Sequence, residues 1–343
     1  MDGAALGPDT KRTSVLRRVL FSDSLHYVSA AGLEGDVCAF ELPAESNPII
    51  VEAISGRSLI LAPGDIFLGT PGYRESTRWV VGGIPTGGLV PGDKYWVLAQ
   101  SGIVGELVGE SPREKGHLGQ VKYLGIIHTN GGQRLNICQF ATGPNGPNGG
   151  NCDYGAPLYV VLGTSAEVGK TTAGTAINRS LRQKGYGRVI ALKATGTSSL
   201  GELLMYLDFG VAEAFDCVDF GLPTTYPSDR VGVDSVFNSA LDFCLSVPAD
   251  AVLIECGGDI LGANVPVFLK CLRERRSDAK IILAAADALG ALGAKLMLER
   301  MNYSVNLITG LCTDTPTLRQ RTEKLCGITA INMARSKSDV VLF

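Results

Sequence analysis

The chain is poor in the residues that build metal and disulfide sites. It has only three histidines, His26, His117 and His128, and all of them precede residue 150. Its nine cysteines are scattered, and no two stand in C-x-x-C spacing. A structural zinc site needs patterned Cys and His ligands, so the sequence argues against one. An odd number of unpatterned cysteines in a chain of 343 residues argues equally against a disulfide framework. Reduced thiols in a cytoplasmic protein are the simple expectation. Cys244, Cys256 and Cys271 lie in apolar segments, where a thiol packs as a small apolar group.

Charge is sparse as well. Charged residues make up 19% of the chain and the formal net charge is −3, so no basic excess points to nucleic acid. No apolar run approaches the roughly 20 residues that cross a bilayer. The first residues lack the apolar core of a secretory signal, and Asp2 and Asp9 argue against a transit peptide. No nucleic-acid and no membrane partner is therefore expected.

What the chain has is apolar material, 45% of its residues, enough for real cores. Its length suits two domains. Before about residue 150, short apolar runs such as "DVCAFEL", "SLILAPGDIFLG", "KYWVLAQSGIVGELVG", "QVKYLGIIHT" and "RLNICQF" are punctuated closely by Gly, Pro, Asn and Asp. That rhythm predicts a sandwich or barrel, with no long helix between residues 36 and 142. The turn-rich segment "TGPNGPNGGNCDYG", residues 142–155, marks a boundary. Residues 1–150 form a smaller β-rich domain on this reading, and residues 151–343 form an α/β domain. In the second half, "LYVVLG", "VIALKA", "AVLIECG", "IILAAAD", "VNLITGLC" and "ITAINM" alternate with helical periods near 171–184, 233–245, 265–275, 289–301 and 318–326. Near-continuous apolar strands between helices predict a parallel sheet covered on both faces.

At the first of these strand–helix junctions, Gly163-Thr164-Ser165-Ala166-Glu167-Val168-Gly169-Lys170-Thr171 fits G-x-x-x-x-G-K-[ST]. The two glycines let successive N–H groups turn toward phosphate oxygens, and the helix that follows adds its positive end. Lys170 would reach the β- and γ-phosphates, and the Thr171 hydroxyl would ligate Mg²⁺. Thr172 opens the helix beside them. Position 164 carries Thr where dimerising switch ATPases carry an early lysine, and the N-K-x-D tetrapeptide of guanine-specific GTPases is absent. ATP is the nucleotide this pattern favours.

Two further residues end strands where ligands sit in open α/β sheets. Glu255, in "DAVLIECGGD", places a carboxylate that can hold Mg²⁺ directly or through water. Lys193, in "RVIALKATGTSS", can stabilise a transferring phosphoryl group or a substrate anion.

Loop, lysine and glutamate in this order resemble dethiobiotin synthetase and its relatives, including the synthetase domain of cobyrinate amide synthetases. The family's loop reads G-T-D-T-E-V-G-K-T, and this chain departs from it only at Ser165 and Ala166. The family's strand-end K-P-x-x-S-G is similar to "LKATGTSS", and its E-G-A-G-G to "ECGGD". The resemblance covers residues 157–334 and implies P-loop, ATP- and Mg²⁺-dependent chemistry on a small molecule. It implies Lys170 and Lys193 as catalytic, Glu167 as the loop glutamate, and Asp208 as a second Mg²⁺ carboxylate. Thr313 and Asp314 stand where the family has its adenine-contacting Asn, which makes Thr313 a nucleotide-side residue. The β-rich half has no counterpart in the biotin enzyme, so dethiobiotin synthesis itself is not expected.

Three functions remain open on the residues. The main reading is a ligase, which would activate a carboxylate or carbamate as a phosphate anhydride for attack by an amine. The placement of the histidines, and the absence of a Cys in a recognisable elbow, exclude a built-in glutaminase. A small-molecule kinase would need a base, for which Asp229 and Asp259 are the candidates. A nucleotide-dependent switch or accessory protein is the third, and the missing early lysine and N-K-x-D argue against it. Tyr73, Arg74 and Arg78 in the β-rich half would suit an anionic small-molecule substrate, and that domain would supply specificity or the interface of a homo-oligomer, most simply a homodimer.

Overall fold

The computed structural model describes residues 4–7, 10–21, 25–76, 78–112, 119–129, 131–143 and 155–335. The chain divides into two compact units. One is built on residues up to 142 with 197–201 and 217–227; the other comprises 143–196, 202–216 and the chain from 228 onward. The expected boundary at 150/151 lies outside the described residues.

The first unit is built from strands. Cys38–Glu41, Ile66–Pro71, Ile103–Glu110, Lys94–Ala99 and Gln120–His128 pair in that succession, and the last pairs back to the first. The ring of pairings closes a barrel and leaves these five strands without a free edge. Side chains alternate with the strand period of two. Cys38, Phe40 and Leu42 join Phe67, Tyr95 and Tyr123 in one buried cluster, while Val37 and Ala39 join Leu68, Leu98 and Ile127 in another. Phe40 lies 5.5 Å, centroid to centroid, from both Phe67 and Tyr123. The run "RLNICQF", read above as a strand, instead closes on a 3₁₀ turn, Ile137–Phe140. Asn136 accepts a 3.0 Å hydrogen bond from the Cys138 amide, and this local cap outcompetes strand pairing.

The second unit alternates strand and helix: β1 Leu158–Gly163, α1 Lys170–Gln183, β2 Val189–Thr195, α2 Leu200–Asp208, β3 Glu213–Asp216, α3 Val233–Ser246, β4 Ala251–Cys256, α4 Val265–Arg275, β5 Lys280–Ala284, α5 Ala288–Arg300, β6 Val305–Thr309 and α6 Pro316–Cys326. The strands form one wholly parallel sheet in the order β3-β2-β4-β1-β5-β6. Every residue of β1, β2 and β4 is buried, so both faces of the sheet are covered, as the unbroken apolar runs predict. Ala173, Ile177 and Leu181 of α1 pack with Tyr159, Val161, Ala191 and Leu253 of the sheet. Asp287 caps α5 by accepting from Gly290 N at 2.8 Å, and Thr315 caps α6 by accepting from Leu318 N at 3.2 Å. The fold class is thus α/β, a P-loop parallel sheet flanked by helices and preceded by a β-rich region.

The run "ITAINM" adds no strand of its own and contributes a single parallel bridge, Ile308 to Ala330. Two elements were not foreseen, α2 and the four-residue β3. The cysteines that are described are all free thiols, with Cys138 alone exposed. No helix among the described residues is long and apolar enough to cross a membrane.

Candidate functional site

The site begins where β1 ends. Being central in the sheet, β1 delivers Gly163 between the ends of β4 and β5. The loop is tied to β5 and the turn beyond it by Thr164, whose amide donates to Ala284 O at 3.0 Å and whose hydroxyl accepts from Ala286 N at 3.1 Å. Across the top, Ile260 N donates to Gly163 O at 3.0 Å. Ser165 turns its hydroxyl onto Ala166 O at 3.1 Å. Val168 is wholly buried and anchors the loop. Glu167 is exposed and holds a left-handed backbone with φ of 60°.

Gly169 is the N-cap of α1 at φ 94°, a conformation that favours glycine. Having no side chain, it leaves the first-turn N–H groups of a 14-residue helix uncapped. Those groups and the helix dipole suit a phosphate. Lys170 is buried and folds back over the loop, donating to Ser165 O at 2.8 Å. Burial pushes its ammonium below the usual lysine range. An anion in the loop would give that charge the partner it needs.

Thr171 Oγ1 donates to Glu255 Oε1 at 3.1 Å. The expected Mg²⁺ hydroxyl and the expected Mg²⁺ carboxylate are therefore side by side. The other oxygen of Glu255 accepts from Tyr206 Oη at 2.5 Å. Glu255 is buried, and burial, followed by the nearby Glu202 carboxylate, pushes its carboxyl above the usual range. Lys193, Tyr206 and Lys170 pull in the opposite direction. The described residues hold no group of three or more His, Cys, Asp or Glu placed to bind a metal alone. Two hard oxygen donors beside a phosphate loop nevertheless fit Mg²⁺, which takes few protein ligands and fills its shell from phosphate and water.

Lys193 and Glu255 are register partners on β2 and β4. The Lys193 ammonium forms a close ion pair with Glu202, on the first turn of α2. Burial opposes that charge, but Glu202 and Glu255 more than offset it and hold the ammonium above its ordinary range. Glu202 and Tyr206 stand one helical turn apart, so α2 aims both at the ends of β2 and β4. Sequence reasoning missed both residues. Their spacing of four, after a strand-end lysine, was the available signal.

The other candidates lie differently. Asp208, on the same helix, is exposed at its C-terminal end. Thr172 is exposed on α1. Asp259 closes a turn, its Oδ1 accepting from Leu261 N at 2.8 Å and Gly262 N at 2.9 Å. Asp229 is exposed in a turn. Thr313 is buried after β6, its hydroxyl on Gly310 O at 2.6 Å. Asn332, a residue not foreseen, donates to Thr313 O at 3.2 Å and to Asp314 Oδ1 at 3.0 Å. Tyr73, Arg74 and Arg78 belong to the first unit, where Arg74 donates to Leu98 O.

A strand, a G-x-x-x-x-G-K-T loop and a helix on an all-parallel sheet define a P-loop nucleotide-binding unit. No family model and no curated protein matches the chain. Solved structures do. FtsY from Mycoplasma mycoides matches with a TM-score of 0.37 at 13% identity, over 53% of this chain and 62% of that one. The signal recognition particle receptor FtsY from Elizabethkingia anophelis, in complex with GDP, matches with 0.37 at 14%, over 56% and 63%. Chloroplast FtsY from Physcomitrella patens matches with 0.37 at 13%, over 58% and 65%. The matches span less than two thirds of the length of these structures.

These findings correct the expected kinship with dethiobiotin synthetase. A phosphate loop meets only phosphate, so one loop serves many chemistries and its likeness does not fix a family. The ligase and kinase readings are corrected with it. Lys193 is engaged by Glu202, and Asp259 is spent on a turn, so neither is presented to a second substrate. ATP as the preferred nucleotide is not supported, because the residues the site brings together face phosphate and metal and do not select a base. The expectation of a small-molecule partner, with no nucleic acid, no membrane and a homodimer, is not supported either; the Elizabethkingia anophelis matches are titled as a signal recognition particle receptor.

Proposed function

We propose that the second unit binds a Mg²⁺-complexed nucleoside triphosphate and acts as a nucleotide-hydrolysing switch or accessory protein. The observation that carries this reading is the 3.1 Å bond between Thr171 Oγ1 and Glu255 Oε1, at the start of the uncapped helix α1. It puts the two candidate metal ligands together beside the candidate phosphate cradle formed by residues 163–169.

The roles follow from that arrangement. The N–H groups of residues 165–169 and the first turn of α1 would hold the phosphates, the Thr164 amide being engaged by Ala284 O. Lys170 gives up Ser165 O for phosphate oxygens. Thr171 and Glu255 would hold Mg²⁺, which would supply neutralisation of phosphate charge there. Thr313, on the turn after β6, lines the nucleoside side. The domain division at 150/151 is proposed with this reading.

Binding of fluorescent guanine and adenine nucleotides, with and without Mg²⁺, tests the reading. Saturable Mg²⁺-dependent binding of either, lost in Lys170→Ala, is expected. Phosphate release without any added substrate separates a switch from an enzyme acting on a second molecule. Two resolved transitions in calorimetric unfolding are the expected outcome for the domain division.

A further inference from the structure

We propose that Glu202 is a γ-phosphate competitor, a carboxylate that holds Lys193 in the nucleotide-free chain and yields it to a triphosphate but not to a diphosphate. This rests on the nucleotide-switch reading of the same site. The pair Lys193–Glu202 would then set the preference between the two nucleotide states.

The geometry is specific. The ammonium is almost enclosed, with 8% of the Lys193 side chain exposed against 39% for Glu202. A ligand entering from solvent meets the carboxylate first. The backbone around Lys193 is fixed. Gly257 N donates to Thr195 O at 3.1 Å and Thr195 Oγ1 returns a 2.9 Å bond to Gly257 O, clamping the end of β2 to the segment after β4. Lys193 and Glu255 are in register, and Glu255 touches Thr171 of the P-loop helix, so the ammonium belongs to the end of the site where phosphates would end.

Charge makes the exchange exclusive. An enclosed ammonium is costly without an anion, so it trades one anion for another rather than losing both. Phosphate oxygens are strong acceptors with more charge than one carboxylate. A diphosphate held by the P-loop ends one phosphate short and leaves Lys193 with Glu202. A triphosphate takes the lysine, and the Glu202 carboxylate, a like charge with 39% of its side chain exposed, turns out to solvent.

The sign of the mutant effect is the test. Dissociation constants are measured for a non-hydrolysable triphosphate and for the diphosphate, in guanine and adenine forms, with Mg²⁺. Glu202→Gln removes the competitor, so triphosphate binding tightens. The diphosphate-to-triphosphate ratio of Kd rises by about fivefold or more, a typical coupling between linked sites. Lys193→Gln brings the ratio toward one. Glu202→Asp keeps the ion pair and holds the ratio near that of the unaltered chain, which controls for folding.

An unchanged or lowered ratio in Glu202→Gln overturns the proposal while leaving nucleotide binding intact. Weakening of both nucleotides to the same degree also overturns it, because that is what loss of structure alone would do. Failure of the unaltered chain to bind either nucleotide overturns the parent reading instead, and this inference with it.

Discussion

Tyr206 donates a 2.5 Å hydrogen bond to the Glu255 oxygen that Thr171 does not use. The two donors come from different helices, α2 and α1, and satisfy both oxygens of one buried carboxylate. Tyr206 is itself buried, and burial together with the Glu255 charge holds its phenol well above the usual range, so it stays a donor. Replacing Tyr206 with Phe removes the donor and keeps the ring. A hydrogen bond to a charged group is worth about 1.5–3 kcal/mol, and a loss of that size is expected. Denaturant unfolding checks it, as a lowered midpoint with an unchanged slope.

The seat of that tyrosine can be tested from the α1 side. A Cβ on Gly174 would come within 2.2 Å of Tyr206 Oη. The phenol cannot swing aside without leaving Glu255. Gly174→Ala is therefore expected to destabilise the chain by about 1–3 kcal/mol, as overpacking does, despite the better helix propensity of Ala. Thermal melting compared with Tyr206→Phe provides the check. In the double variant the two losses are expected to be non-additive, because they act on one contact.

Glu255 gives a pH dependence with a defined sign. Its folded-state carboxyl lies above the ordinary value, chiefly through burial. Relative to the unfolded chain, the nucleotide-free fold therefore shifts Glu255 toward the protonated acid. That stabilising preference is present below the unfolded value of about 4.3 and fades as pH rises through the folded value. Mg²⁺ needs the carboxylate, so its binding releases a proton and its apparent affinity increases as pH rises through the same window. Metal titrations in the presence of nucleotide across that window check this, and Glu255→Gln is expected to flatten the profile.

The two carboxylates expected to hold Mg²⁺, Asp208 on α2 and Glu255 on β4, are expected to behave differently. Asp208 is exposed at the far end, so Asp208→Asn is expected to leave the Mg²⁺ dependence of nucleotide binding unchanged. Glu255→Gln is expected to weaken it. A shifted Mg²⁺ dependence in Asp208→Asn would restore that residue to the metal site.

Much of this architecture is legible in the residues, for physical reasons that also explain the gaps. The strands β1, β2 and β4 are covered on both faces, and such strands read as unbroken apolar runs. The P-loop is legible because its glycines, lysine and threonine are each fixed by phosphate chemistry. Helix α2 is short, carries Gly201 near its start and is apolar on much of its surface, so its period is weak. It was missed, and Glu202 and Tyr206 with it; Asp208 was preferred on spacing alone. The closed barrel depends on pairings distant in sequence, such as Lys94–Ala99 with Gln120–His128, which local patterning does not encode. Family kinship was read from the loop with Lys193 and Glu255, phosphate- and metal-facing positions that distinguish one P-loop protein from another poorly.

The central assignment, a Mg²⁺-nucleotide site on residues 163–171 and Glu255, is tested most directly by equilibrium binding of fluorescent GTP and ATP analogues to the unaltered chain and to Lys170→Ala. Saturable, Mg²⁺-dependent binding of at least one analogue is expected, weakened at least about tenfold by the loss of the charged contact. Absence of saturable binding by either analogue, or equal binding by Lys170→Ala, would contradict the assignment.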